Sequence, residues 1–249
     1  MTLFDHGFVF LIAIVYPIAG LVGFRRLLRR AAAGATVNRI HLYRNTLIGH
    51  WILALACIAI WSGADRPWSG IGLGLDIDPW FGGAALLTLL GIAGLVVQLR
   101  YVRSASQENV DALQKRFGNI EILIPRNGNE LVRFYGLSVT AGIVEELLWR
   151  GYLIWYLGGF MSLWAAILVS TVGFGLAHAY QGPRHIPQVI LLSAAFASLY
   201  LLSGSVWLPM ILHAAVDILQ GRLGHDVFNR STPGNTRLQH AAINASSHK

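Results

Sequence analysis

The chain has one cysteine, Cys57, and it lies in an apolar run. That excludes a disulfide framework and any CxxC metal site. Charge is scarce as well. Asp, Glu, Lys and Arg make up 12% of residues, about half of the roughly 25% usual in soluble domains. No HExxH stands anywhere, so the usual two-histidine zinc protease signature is missing. The glycine-rich stretch "GIGLGLDI" at 70–77 does not fit GxGxxG, which argues against a phosphate loop. What is abundant is apolar. Hydrophobic residues make up 55% of the 249, and the mean hydropathy is +0.54. A soluble domain of this size could not bury that much apolar surface, so the composition implies an integral membrane protein.

A spanning helix needs about 20 mostly apolar residues. Seven runs qualify: 7–24, 43–62, 80–100, 131–157, 160–178, 187–203 and 205–221, the last two separated only by Gly204. A re-entrant piece around 63–80 would make an eighth. The expected fold is all-α, a polytopic membrane bundle of about seven to eight transmembrane helices. The first run is followed by "RRLLRR", a stop-transfer pattern, and reads as a retained anchor. On alternating spans Arg66 is the sole Lys or Arg on one side. Every other one outside the spans falls on the opposite side. The positive-inside rule makes that basic side cytoplasmic, with the N-terminus outside and the C-terminus inside. Net charge is +7, and this distribution ties it to topology and lipid rather than to nucleic acid. Residues 104–130 read as a cytoplasmic amphipathic helix followed by a turn at Pro125–Gly128. Residues 222–249 read as a polar, disordered tail.

Polar groups inside the spans are few and are expected to face a bundle interior or a wet cavity. In "EELLWR", Glu146 and Arg150 are i and i+4 and can pair on one face. Glu145 is rotated about 100° from that face and has no cation supplied by its own helix. A partly desolvated carboxylate without a partner is a candidate general base. In "FGLAH", His178 ends the fifth span. In "LHAAVD", His213 and Asp217 are again i and i+4, on the seventh. Each group alone is as easily an interhelical polar contact. Together they bring titratable side chains from separate spans toward one place, which is a constellation for activating water.

These three stretches, in this order, resemble the EExxxR, FxxxH and HxxxN/D motifs of the CAAX protease and bacteriocin-processing (CPBP) family of intramembrane endopeptidases. The resemblance covers roughly 125–221. It implies a catalytic core over 131–221, preceded by N-terminal spans over 1–103 that carry no recognised motif. By the same resemblance Glu145 is the catalytic glutamate and His178 helps it activate water. His213 and Asp217 stabilise the oxyanion, at a position where asparagine often replaces the aspartate. Glu146 and Arg150 form a supporting ion pair. A carboxylate cannot itself donate to an oxyanion, so Asp217 is expected to orient His213 or keep it protonated. No cofactor is expected, with zinc on two histidines and a carboxylate as the alternative.

The expected activity is therefore hydrolysis of a peptide bond by a water that glutamate and histidine activate. The substrate would be a peptide or protein entering from the cytoplasm or the bilayer. Membrane lipid is the other partner, nucleic acid is not one, and a bacterial inner membrane is the expected location. The competing class is a non-catalytic protein, either a proton-coupled carrier or a peptide-binding scaffold using the same polar cluster. A carrier should show broken helices in two repeated halves, and the sequence shows no such repetition.

Overall fold

Short polar side chains set where several helices begin. Thr2 and Asp5 close a capping box on the first helix, and Asn38 accepts from the His41 amide at 3.0 Å to start the second. Asp78 accepts from the Phe81 amide at 2.7 Å, just ahead of a proline in the first helical position. Asn127 accepts from the Glu130 amide at 2.9 Å, while the Glu130 carboxylate accepts from the Arg126 amide at 2.8 Å. The computed structural model describes residues 1–230. Its helices are α1 (Leu3–Ala32), α2 (Arg39–Ser62), α3 (Pro79–Ser104), α4 (Gln107–Phe117), α5 (128–158), α6 (Leu163–Ala177), α7 (Ile186–Ser203) and α8 (Trp207–Asn229), and no strand occurs among the described residues.

Residues 160–162 and His178 fall outside α6 and residues 205–206 outside α8, but each of the seven expected spans rests on a helix, and the all-α bundle stands. Five of them (α1, α2, α3, α6 and α7) are long and apolar enough to cross a membrane. In α5 and α8 the apolar run is broken by Glu145, Glu146 and Arg150, and by His213 and Asp217. Leu86, Leu89 and Leu90 of α3 are exposed, as side chains facing hydrocarbon should be. With this composition and these helices the chain is an integral membrane protein.

α5 lies at the centre, packed against α2, α6 and α8. Val144, Leu147, Leu148, Trp149 and Tyr152 of α5 join Trp61 of α2 and Phe174 of α6 in the main apolar core. Within α5, Leu147–Leu153 widens into a π-helical segment, an uncommon geometry that recurs at functional sites. Ser170 of α6 donates to the Trp149 carbonyl in this segment at 2.8 Å.

The re-entrant piece expected around 63–80 is a single 3₁₀ turn, Trp68–Ile71, with Ile71 fully buried. It is seated on α5 at Gly151, where an added Cβ would lie 2.7 Å from the Ile71 carbonyl oxygen. The Gly72 carbonyl then accepts from the Val206 amide at 2.9 Å, which ties this loop to the sharp α7–α8 turn at Gly204. Gly72 itself sits at φ 74°, and a side chain there would strike Tyr200 and Val206.

A second tie closes the same end of the bundle. Asp5 is fully buried and receives both arms of Arg66, at 2.7 and 2.6 Å, together with the Tyr152 hydroxyl at 2.5 Å. The Arg66 guanidinium lies over the rings of Trp155 and Trp61, at 4.4 and 5.3 Å from their centroids. Arg66→Ala leaves a buried carboxylate without its cation. The expected cost is about 2–4 kcal/mol, set below the usual range for a broken buried pair because the arginine is partly exposed. Unfolding of the purified protein in detergent micelles checks this.

The expected polar tail from 222 is corrected over 222–229. There α8 continues to Asn229, because Leu223 and Val227 extend its apolar stripe and bury against Leu99 and Val110. Arg103 holds the same turn through Asp226 at 2.7 Å. α4 is the surface helix expected within 104–130, and Val110 is its buried contact. Residues 231–249, where the rest of the expected tail falls, lie outside the described residues.

Candidate active site

Six sequence-selected residues meet around the middle of α5. Glu145 leaves one face of the helix and Glu146 the next. Glu146 Oε1 accepts from Arg150 Nη1 at 2.8 Å, the i,i+4 pair expected from spacing, and both side chains are almost wholly buried. Arg150 reaches on to α7, donating to the Ser193 hydroxyl at 2.8 Å and carbonyl at 3.1 Å. Its guanidinium lies 4.5 Å from the centroid of Phe174. One cation thus joins α5, α6 and α7.

His213 arrives from α8. Its Nδ1 lies 2.7 Å from Glu146 Oε1, and its ring stacks on Phe196 with centroids 4.8 Å apart. A carboxylate oxygen accepts, so Nδ1 carries hydrogen and the other nitrogen points away from Glu146. His213 Nε2 then lies 4.0 Å from Glu145 Oε2 and 3.8 Å from Asp217 Oδ2. Asp217 was expected to orient this ring. The contact at hydrogen-bond length comes instead from Glu146, while Asp217 Oδ2 stays beyond direct bonding.

α8 can approach this closely because of Gly142. A Cβ at that position would fall 2.7 Å from the Ala214 amide nitrogen and 2.8 Å from the Met210 carbonyl oxygen, both backbone. The approach is one turn before Glu146 and next to His213.

His178 follows the end of α6. Its Nδ1 lies 2.8 Å from the Phe174 carbonyl oxygen, which can only accept, so Nδ1 carries hydrogen here too. Nε2 is left facing Glu145 Oε2 at 3.8 Å, beyond direct bonding. Glu145 Oε2 is buried and has no hydrogen-bond partner among the described residues. His178 Nε2 and His213 Nε2 therefore both face Glu145 Oε2. Exposure of the surrounding side chains is graded. Glu145 and His178 side chains are 17% and 18% exposed and Asp217 is 37% exposed, while Glu146 behind them is 0%.

One member was not foreseen. His50 of α2 sets its Nε2 3.0 Å from Glu145 Oε1. The sequence reading left Glu145 without a partner, and a cation-capable ring from another span supplies one. A lone histidine in the apolar run 43–62 was the available signal. Thr46, four residues earlier, is polar but not titratable, so no charged i,i+4 neighbour strengthens it. Tyr16 of α1 sits beside it, with ring centroids 6.0 Å apart.

Among the described residues, no three His, Cys, Asp or Glu side chains converge as a metal-ligand set. Two of the four histidine nitrogens contributed by His178 and His213 are already committed to Phe174 and Glu146.

A family model described as Type II CAAX prenyl endopeptidase Rce1-like matches residues 127–219, which covers α5 to most of α8 and all three motifs. No curated protein and no solved structure matched the chain.

Proposed function

We propose that this chain, a CPBP-family membrane protein through its residues 127–219, is an intramembrane endopeptidase of glutamate type that needs no metal. The family-model match over residues 127–219 supports CAAX-protease-like character at family level. The single observation that carries the finer reading is that His178 Nε2 and His213 Nε2 lie 3.8 and 4.0 Å from the same carboxylate oxygen, Glu145 Oε2.

A water hydrogen-bonded to both Glu145 Oε2 and His178 Nε2, at about 2.8 Å from each, is compatible with the gap between them. Glu145 takes its proton while the hydroxide oxygen bonds to the peptide carbonyl carbon and the carbonyl π pair moves onto oxygen. His213, between the carboxylates of Glu146 and Asp217, serves as the cationic donor to that oxyanion through Nε2. The C–N bond then breaks and Glu145 returns its proton to the leaving amine. The Arg150 charge offsets Glu146 throughout. Substrate is a peptide or protein segment reaching the site from the cytoplasm or the bilayer. The proposed setting is a bacterial inner membrane with the C-terminus cytoplasmic, supported by the one-sided distribution of Lys and Arg.

The test uses purified protein in detergent micelles. It is given an internally quenched CAAX peptide, with and without a farnesyl group on the cysteine, and a peptide extract of host membranes. New peptide termini, found by mass spectrometry, are the expected result. Absence of new termini in every digest, together with movement of intact peptide across sealed proteoliposomes, would replace the protease reading with the carrier.

Gly142→Ala provides a geometric check. α8 must shift to admit the methyl group, so His213 moves with it. A displacement near 1 Å at reacting groups can lower a rate about 100-fold. Cleavage is expected to fall by at least about tenfold, with a stability loss of about 1–3 kcal/mol from overpacking. Initial rates and detergent unfolding of the same preparation measure both.

A further inference from the structure

His50 and His178 are anchored alike and used differently. Each gives its Nδ1 to the carbonyl four residues earlier, Thr46 for His50 and Phe174 for His178, both at 2.8 Å. A carbonyl only accepts, so each Nδ1 bears hydrogen and each Nε2 is turned toward Glu145. There the two diverge. His50 Nε2 is 3.0 Å from Oε1, a full hydrogen bond, while His178 Nε2 stays 3.8 Å from Oε2. Between His50 Nε2 and a carboxylate oxygen one proton must lie, since two bare acceptors at 3.0 Å would repel. His50 is also the more enclosed ring, with its side chain 6% exposed against 18% for His178. It approaches the carboxylate from α2, on Oε1, while the more exposed His178 faces Oε2.

We infer that His50 is a positioning residue for Glu145, holding Oε1 so that Oε2 alone is presented to the reacting water. This rests on the glutamate-protease reading above. It also gives the N-terminal spans a part in the site. The matched segment, 127–219, contains both glutamates, His178 and His213, yet among the described residues the one direct hydrogen bond to the Glu145 carboxylate comes from α2. With Oε1 held, the carboxylate cannot rotate to offer His50's oxygen to the substrate side. The proton that Glu145 takes from water and returns to the leaving amine travels on Oε2, and the His50 proton stays where it is through the cycle. The rate therefore depends on His50 through the orientation of Glu145, without any contact of its own to substrate.

The experiment compares His50→Leu and His50→Gln with the parent protein on the farnesylated quenched peptide, in detergent micelles. Leucine removes the donor, while glutamine keeps an N–H at similar reach. Expected for His50→Leu is a fall in kcat of about 10–100-fold, the size of a lost hydrogen bond to a charged group, with KM within about threefold. His50→Gln should recover at least about a third of that loss on a logarithmic scale. In a Glu145→Gln background, His50→Leu should change the residual rate less than about twofold, since there is no base left to orient. Four results overturn the inference: leucine leaving kcat within twofold of the parent, leucine raising KM alone, glutamine performing no better than leucine, or activity falling only in step with the folded fraction of both variants. Failure of the parent to cleave any peptide defeats the protease reading itself, whereas an active parent with an unaffected His50→Leu defeats only the role of this histidine.

Discussion

Glu145→Gln is expected to lower kcat by about 10³-fold or more while the protein folds as before, the scale seen when a base acting as part of a catalytic unit is removed. The amide is isosteric with the carboxylate. Its oxygen can still accept from His50 Nε2, now 3.0 Å from Oε1. Its nitrogen replaces Oε2, the buried oxygen without a hydrogen-bond partner among the described residues. What disappears is the atom that, in the proposed mechanism, takes the proton from water. KM should stay within a few-fold, because the amide alters the charge of the site and not its shape. Removing His178 as well should then add little, since groups that act as one unit do not contribute additively. Initial rates on the quenched peptide decide it. A Glu145→Gln protein retaining a tenth or more of the parent kcat would require another base.

The second large effect falls on stability. Arg150→Ala should destabilise the bundle by about 3–5 kcal/mol, the cost of leaving one partner of a buried pair uncompensated. Glu146 would lose its permanent cation and keep only the His213 ring beside it, and the Ser193 hydroxyl and carbonyl would lose their donor. Lysine is no remedy, because a point charge cannot address Glu146 and Ser193 with separate N–H groups as the fork does. The paired replacement Glu146→Leu with Arg150→Met separates fold from function. Apolar side chains of similar volume often match or exceed a buried ion pair in stability. His213 would nonetheless lose the acceptor that fixes its Nδ1–H at 2.7 Å, so cleavage should stay lost in a stable protein. Detergent unfolding curves alongside peptide cleavage check both halves.

These two residues also show what could be read in advance. Glu146 and Arg150 are four apart on one helix, so their pairing follows from helical geometry alone. The seven spans follow as directly, because the bilayer demands long apolar runs and the chain interrupts them with few charges. His50 was hidden for the opposite reason. Its partner lies 95 positions away on another helix, and a lone histidine in an apolar run carries no spacing to interpret. The close approach at Gly142 is set by the path of α8, which no local pattern encodes. The π-helical segment after Glu146 likewise follows from no local spacing, and its Trp149 carbonyl is met by the Ser170 hydroxyl from α6. Over 222–229, Arg222, His225 and Asp226 gave a polar impression, while Leu223 and Val227, at helical spacing, marked the face that buries.

The continuation of α8 has a practical corollary for how the molecule tolerates shortening. Ending the polypeptide after residue 221 would sever a helix in mid-course and strip Leu99 and Val110 of the side chains that cover them. α4 would lose its apolar footing, and Arg103 its acidic partner. A fluorescent or affinity label is therefore best joined beyond Arg230, whose guanidinium donates to the Ala105 carbonyl, so that the clasp between the surface helix and the last span stays intact.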